Sequence, residues 1–251
     1  MIPLSRPCLG AAESEAVAAV LATGRLVQGE QVARFQSLVA AHTGRKHALA
    51  VSSGTAALRI ALETLGVGRG DHVLVPDLTW PSPAHVVVEL GATPVLVDVD
   101  LRSWNVTAQA MAAARAQAGS VRAAIAIDQF GNPCPAREIA AALPGVPLIV
   151  DAACSLGSRL DASTACGALG VIACLSFHPR KVLTTGEGGM CLTDDDALAA
   201  TLAQLRNHGQ VSPGVFARAS GNHRMSEIAA AIGSVQMKRL DGIVSGRRAL
   251  A

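Results

Sequence analysis

Alanine dominates the long stretches of this chain, and short apolar runs rich in Val, Ile and Leu separate them. The runs Ala48–Val51, His72–Val75, Pro94–Val97, Ala123–Ile127, Leu148–Val150, Val171–Ser176 and Met190–Leu192 predict strands. Between many of them, segments such as Thr55–Leu65, Pro83–Leu90, Thr107–Ala116 and Arg137–Leu143 predict helices. Strands that alternate with helices imply an α/β fold: three layers, with helices on both faces of a mostly parallel sheet. The strands are apolar almost throughout, as burial on both faces requires. No internal repeat or low-complexity linker interrupts the pattern.

Composition narrows the class. The chain has 251 residues, 50% hydrophobic and 16% charged, enough for one large buried core and unlike a disordered chain. Its net charge of +2 comes from scattered basic residues, not from the stripe a nucleic-acid surface needs. Cysteines stand at 8, 134, 154, 166, 174 and 191, without the short gaps of a zinc knuckle or a redox pair. Buried free thiols in a reducing cytoplasm, and no metal site, are expected. The start, Met-Ile-Pro-Leu-Ser-Arg-Pro, lacks the charged-then-apolar order of a signal peptide, and the run Ala16 to Ala22 is too short to span a bilayer. Neither nucleic acid nor membrane is an expected partner.

In open α/β sheets, ligands sit beyond the carboxyl ends of the strands, and here those ends carry polar residues. Ser52-Ser53-Gly54-Thr55 follows the first strand and opens a helix, where free amides and the helix dipole suit a phosphate. Read alone, it is equally an ordinary turn and N-cap. Asp151 ends another strand and suits a metal, a histidine, a cationic ring or a helix cap. Lys181 lies in the turn from Phe177 to Met190, where a lysine is usually just solvated; a catalytic one needs burial or cationic neighbours.

The order of these features changes the reading. A phosphate cradle, then an aspartate, then a serine shortly before a lysine, each at a strand end, describes a pyridoxal-phosphate (PLP) site. The sequence resembles the fold-type I PLP enzymes, and within them the DegT/DnrJ/EryC1/StrS sugar-aminotransferase family. The matching stretches are Ser53-Gly54-Thr55-Ala56-Ala57-Leu58, Pro76-Asp77-Leu78-Thr79-Trp80, Gly91 through Asp100, Asp151-Ala152-Ala153, Ser176-Phe177-His178-Pro179-Arg180-Lys181, Gly186-Glu187-Gly188-Gly189, Leu205-Arg206-Asn207-His208-Gly209 and Gly221-Asn222-His223-Arg224-Met225. They run in family order over nearly the whole chain.

The resemblance implies a role for each position. Gly54 and Thr55 present amides, and Thr55 a hydroxyl, to the cofactor phosphate, which Ser176 also binds. Trp80 stacks on the pyridine ring. Asp151 keeps the pyridine nitrogen protonated, and Lys181 holds the cofactor as an imine and later moves a proton. Asn222 reaches the phosphate of a neighbouring subunit, so the expected assembly is a homodimer with shared sites. The Ala-rich segment from Ser226 to Gly233 is a candidate for that contact.

The chain also departs from the family. Cys154 stands where the family usually has Gln or His against the ring hydroxyl, and a thiol is the poorer hydrogen-bond partner. Asp128 stands where the family often has His, and the chain contains no tyrosine.

The expected layout is an N-terminal segment over 1–25 packed on the large domain and a PLP-binding large domain over 26–241. Residues 242–251 would begin the connection to a small C-terminal domain that this chain lacks. The resemblance implies transfer of an amino group from L-glutamate to a keto-sugar of the nucleotide-linked kind. Three alternatives remain: a PLP-binding remnant without turnover, a sugar dehydratase relative, and another fold-type I enzyme such as a desulfurase. Lys181 weighs against the dehydratases, which commonly have His there, and Asn222-His223-Arg224-Met225 weighs against the desulfurases.

Overall fold

The structure, a computed structural model, describes residues 5–250. Helices α1 (Ala11–Thr23) and α2 (Glu30–Thr43) precede β1 (His47–Val51), α3 (Gly54–Thr64), β2 (His72–Pro76), α4 (Ser82–Glu89) and β3 (Thr93–Val97). Then come α5 (Ala108–Ala118), β4 (Ala123–Ile127), α6 (Ala136–Ala142), β5 (Leu148–Asp151), β6 (Ile172–Ser176) and β7 (Gly189–Thr193). The chain continues through α7 (Asp196–Arg206), a hairpin of β8 (Gln210–Ser212) and β9 (Val215–Phe216), α8 (Glu227–Lys238) and α9 (Leu240–Leu250).

Each of the seven predicted runs forms a strand, and the seven make one sheet in the order β1-β7-β6-β5-β4-β2-β3. β7 runs antiparallel to both of its neighbours, while the other neighbouring pairs are parallel. The reason is local. Parallel neighbours need a crossover, usually a helix, and the link from β6 to β7 contains none.

The all-apolar strands divide their side chains between two cores. In β4, Ala124 and Ala126 face Phe35, Met111, Ile139 and Phe177, whereas Ala123, Ile125 and Ile127 face Ile60, Leu62, Val86 and Leu202. Helices start where short polar side chains cap them. Ser53, Thr107, Asp195 and Ser226 each accept a hydrogen bond from a first-turn amide.

Two contacts fix the N-terminal helices. Glu13 of α1 is buried and accepts from Gln236 Nε2 (2.6 Å) and Arg239 Nη1 (2.7 Å) beside α8. Glu227, also buried, accepts from the amides of Gly29 (2.8 Å), Gln31 (2.9 Å) and Val32 (2.9 Å) at the start of α2. The segment from Ser226 to Gly233, a candidate subunit contact by sequence, turns one of its faces inward. Its Ala230, Ala231 and Gly233 are buried against this chain's own α1 and α2, because a small-residue face lets helices approach closely. Gly233 shows the limit: a Cβ there would lie 2.6 Å from Phe35 Cζ.

Candidate active site

The carboxyl ends of β1, β5 and β6 gather the predicted residues on one edge of the sheet. After β1, Ser53 Oγ accepts from Ala56 N (3.0 Å), and α3 begins at Gly54. The first amides of a helix have no partner within it, so those of Gly54 and Thr55 are free to bind an anion. Gly54 packs onto Ser176 so closely that a Cβ would sit 2.8 Å from Ser176 Cβ. Gly189, which opens β7, is the register partner of both Ser176 and Val51, and a Cβ on it would overlap Ser53 O. These glycines let three backbone segments converge where a phosphate would need donors. Thr55 Oγ1 is exposed and 3.0 Å from Ser82 Oγ, which joins the start of α4 to the start of α3.

Asp151 ends β5 and is buried, pairing in register with Ile127 and Cys174. One carboxylate oxygen accepts from Ala153 N (3.0 Å). Burial pushes its pKa up to about 6. The Ala153 hydrogen bond and the Lys181 charge pull it back, and Asp128 adds to the rise. Asp128 is itself buried and satisfied, accepting from Cys134 N (2.9 Å) and Ser155 Oγ (2.5 Å).

Lys181 lies in the loop joining β6 to β7. The loop is pinned at its root by Phe177, which is fully buried with its ring 5.0 Å from that of Phe35. The Phe177 carbonyl accepts from Thr185 N (3.0 Å) and Thr184 Oγ1 (2.8 Å), and its amide donates to Gly188 O (2.9 Å). Lys181 Nζ donates to Cys154 Sγ at 3.1 Å.

Trp80 follows the carboxyl end of β2, on the same sheet edge, and is 70% exposed. Asn222 is exposed, and its Oδ1 accepts from Arg224 N at 3.4 Å. Its neighbour His223 accepts from Ser52 N (2.9 Å), so the segment runs beside the end of β1.

Sequence reasoning passed over Ser82 and Ser155. Ser82 precedes Pro83 at a helix start, a signal that was available. Ser155 is recognisable only through its contact with Asp128. Among the described residues, no cluster of three or more His, Cys, Asp or Glu side chains could hold a metal ion. None of the described helices is long and apolar enough to cross a membrane.

A mostly parallel sheet with a phosphate-type cradle, a buried carboxylate and a lysine at its carboxyl edge defines a cofactor-binding α/β protein. The chain belongs to the DegT/DnrJ/EryC1/StrS aminotransferase family, whose profile matches residues 7–251. It is similar to a DegT DnrJ EryC1 StrS aminotransferase from Brucella abortus, with 34% identity, a TM-score of 0.87, and 92% of this chain matched to 64% of that one. It is also similar to the aminotransferase TlmJ from Streptoalloteichus hindustanus, with 34% identity, a TM-score of 0.90, and 96% of this chain matched to 67% of that one. A third similar structure is S. venezuelae DesV in complex with a ketimine intermediate, with 32% identity, a TM-score of 0.86, and 92% of this chain matched to 62% of that one. The chain thus spans 64% of the length of the Brucella protein and 62% of that of DesV. Aminotransferases of this family use pyridoxal phosphate.

Proposed function

We infer that this chain binds pyridoxal phosphate and serves transamination from L-glutamate to a keto-sugar of the nucleotide-linked kind. The observation that carries the reading is the convergence of the Gly54–Ser176 contact, buried Asp151 and Lys181 on one sheet edge. The donor set fits the cofactor. Free helix amides and two hydroxyls suit a dianionic phosphate, a buried carboxylate suits a protonated ring nitrogen, and an amine suits an aldehyde.

When bound, the cofactor supplies a ring that stabilises charge developing at the amino donor's α-carbon. The chain's own residues do the rest. The amides of Gly54 and Thr55, with the hydroxyls of Thr55 and Ser176, bind the phosphate. Trp80 orients the ring by packing on its face. Asp151 holds the proton on the pyridine nitrogen, an interaction strengthened by the burial that makes a lone carboxylate costly there. Cys154 would be the partner of the ring hydroxyl. Lys181 would hold the cofactor through Nζ, and the same amine would move the proton at the donor's α-carbon.

The assembly in this reading is a homodimer in which Asn222 reaches the partner's phosphate site, in the cytoplasm, where free thiols persist.

Borohydride treatment of the PLP-loaded protein, followed by peptide mapping, tests the core assignment. The pyridoxyl group is expected on Lys181, and its appearance on another lysine overturns the reading. Addition of L-glutamate should then bleach the visible band, and a band that L-glutamate leaves unchanged would overturn the proposed donor.

A further inference from the structure

Lys181 Nζ and Cys154 Sγ lie 3.1 Å apart, brought together from two different strand ends, the loop after β6 and the turn after β5. That separation falls in the roughly 3–3.5 Å range from which bonded contact is reached without rearrangement. Both side chains are half-buried, open to a small solute yet held by their loops. Thiols that oxidise selectively are partly exposed and lie beside cationic side chains.

The other cysteines differ. Cys134, Cys166, Cys174 and Cys191 are buried. Cys8 is exposed and 3.0 Å from Arg239 Nη2, but a guanidinium stays charged and has no free electron pair with which to close a bond. Cys154 alone among these thiols has an amine in contact.

We propose that Cys154 and Lys181 form a modification site, closed by a hydroperoxide oxidant into a sulfur–nitrogen cross-link that blocks cofactor capture. The steps balance. The Cys154 thiolate attacks one peroxide oxygen, and the O–O bond breaks. The departing hydroxide takes a proton from the Lys181 ammonium to become water, leaving the amine neutral, so sulfur is oxidised by two electrons and peroxide is reduced. The lone pair of neutral Lys181 Nζ then attacks the sulfenic sulfur, the S–O bond breaks, and the leaving hydroxide departs as water with a proton from nitrogen. The protein has lost two hydrogen atoms in total. Two equivalents of an external thiol reverse the change, restoring thiol and amine and leaving that reagent as its disulfide.

The cross-link itself needs only the observed contact. Its effect on the cofactor rests on the assignment of Lys181 as the anchoring lysine. With Nζ occupied, pyridoxal phosphate has no amine to join, and with the cofactor in place, the sulfenic sulfur of Cys154 meets no free amine. Each state therefore excludes the other.

The test uses the full chain, cofactor-free, treated with stoichiometric hydrogen peroxide. Peptide mass mapping is expected to find the Cys154 and Lys181 peptides joined with loss of two hydrogens. The cross-link should be absent in Cys154→Ser and in protein loaded with pyridoxal phosphate beforehand. Cross-linked protein should fail to develop the visible cofactor band and regain it after dithiothreitol. Oxidation of Cys154 to sulfinic or sulfonic acid with no joined peptide overturns the proposal, whatever Lys181 does with the cofactor. A cross-link that leaves the visible band intact overturns the blocking effect and the anchoring role of Lys181 together, while the modification stands.

Discussion

Gly54 and Ser176 touch across the sheet edge, leaving 3.1 Å between Ser176 Oγ and the point where a Gly54 Cβ would be. Any side chain at 54 must push the end of β6 away from the start of α3. Gly54→Ala is expected to cost about 1–3 kcal/mol, the usual penalty for overpacking, and to weaken cofactor binding as well. Adding Ser176→Gly relieves the crowding but removes a phosphate donor. The double variant should therefore recover its thermal stability without recovering its affinity, measured by absorbance titration with pyridoxal phosphate.

Asp151 gives the site a pH dependence whose sign follows from burial. Its folded pKa of about 6 lies above the ordinary 3.8, so the cofactor-free chain holds this proton more tightly when folded. The group's contribution to stability is complete below the ordinary value and is lost as pH rises through about 6. Cofactor binding runs the other way, since only the ionised carboxylate pairs with a protonated ring nitrogen. Affinity for pyridoxal phosphate should fall as pH drops through about 6, and Asp151→Asn should abolish that step. In the same variant, the single-turnover half-reaction with L-glutamate should slow by at least roughly 10²-fold. Unchanged rates would reduce Asp151 to a structural residue.

Glu227 closes the first turn of α2 with three backbone hydrogen bonds. Bonds to a charged acceptor are stronger than neutral ones, and removing the acceptor strands buried donors, so Glu227→Ala is expected to cost about 2–4 kcal/mol. Glu227→Gln, which keeps one acceptor oxygen, should cost less. Urea unfolding measures both, and equal losses for the two would show that the retained acceptor and the side-chain volume contribute nothing beside the charge.

Asn222 tests the shared site by complementation. A mixed dimer of Lys181→Ala and Asn222→Ala subunits would hold one site with both substitutions and one with neither. Mixing the two variants should therefore restore tight cofactor binding to part of the population, read as the visible band at limiting cofactor. If mixing gives no more than the parents do separately, Asn222 serves its own chain.

Much of the sheet was legible because its strands are short, apolar and bounded by turns, so burial and period agreed. The exposed β8–β9 hairpin was not, since Gln210–Ser212 and Val215–Phe216 are too short and too exposed to leave a pattern. At the site, Gly54, Asp151, Ser176 and Lys181 stood at strand ends and could be read in order. What sequence spacing could not supply was distance. The contact of Lys181 with Cys154 and the cap of Glu227 on α2 join residues whose separation along the chain carries no local signal. The burial of Ala230 and Ala231 against α1 and α2 left no signal for the same reason: a small-residue face does not reveal which helix will cover it.

The position of β1 at the edge of the sheet, paired only with β7, sets an order of events on the ribosome. Residues 47–51 leave the exit tunnel early, yet their hydrogen-bonding partners at 189–193 are made much later, and the cap on α2 later still, at 227. Strands β2 to β6 can assemble in the meantime. The first-made segment is thus the last to dock, and its apolar strand waits unpaired, a state that invites association with other chains. A nascent chain stalled before α8 should hold its amino-terminal helices loosely, within reach of chaperones and proteases.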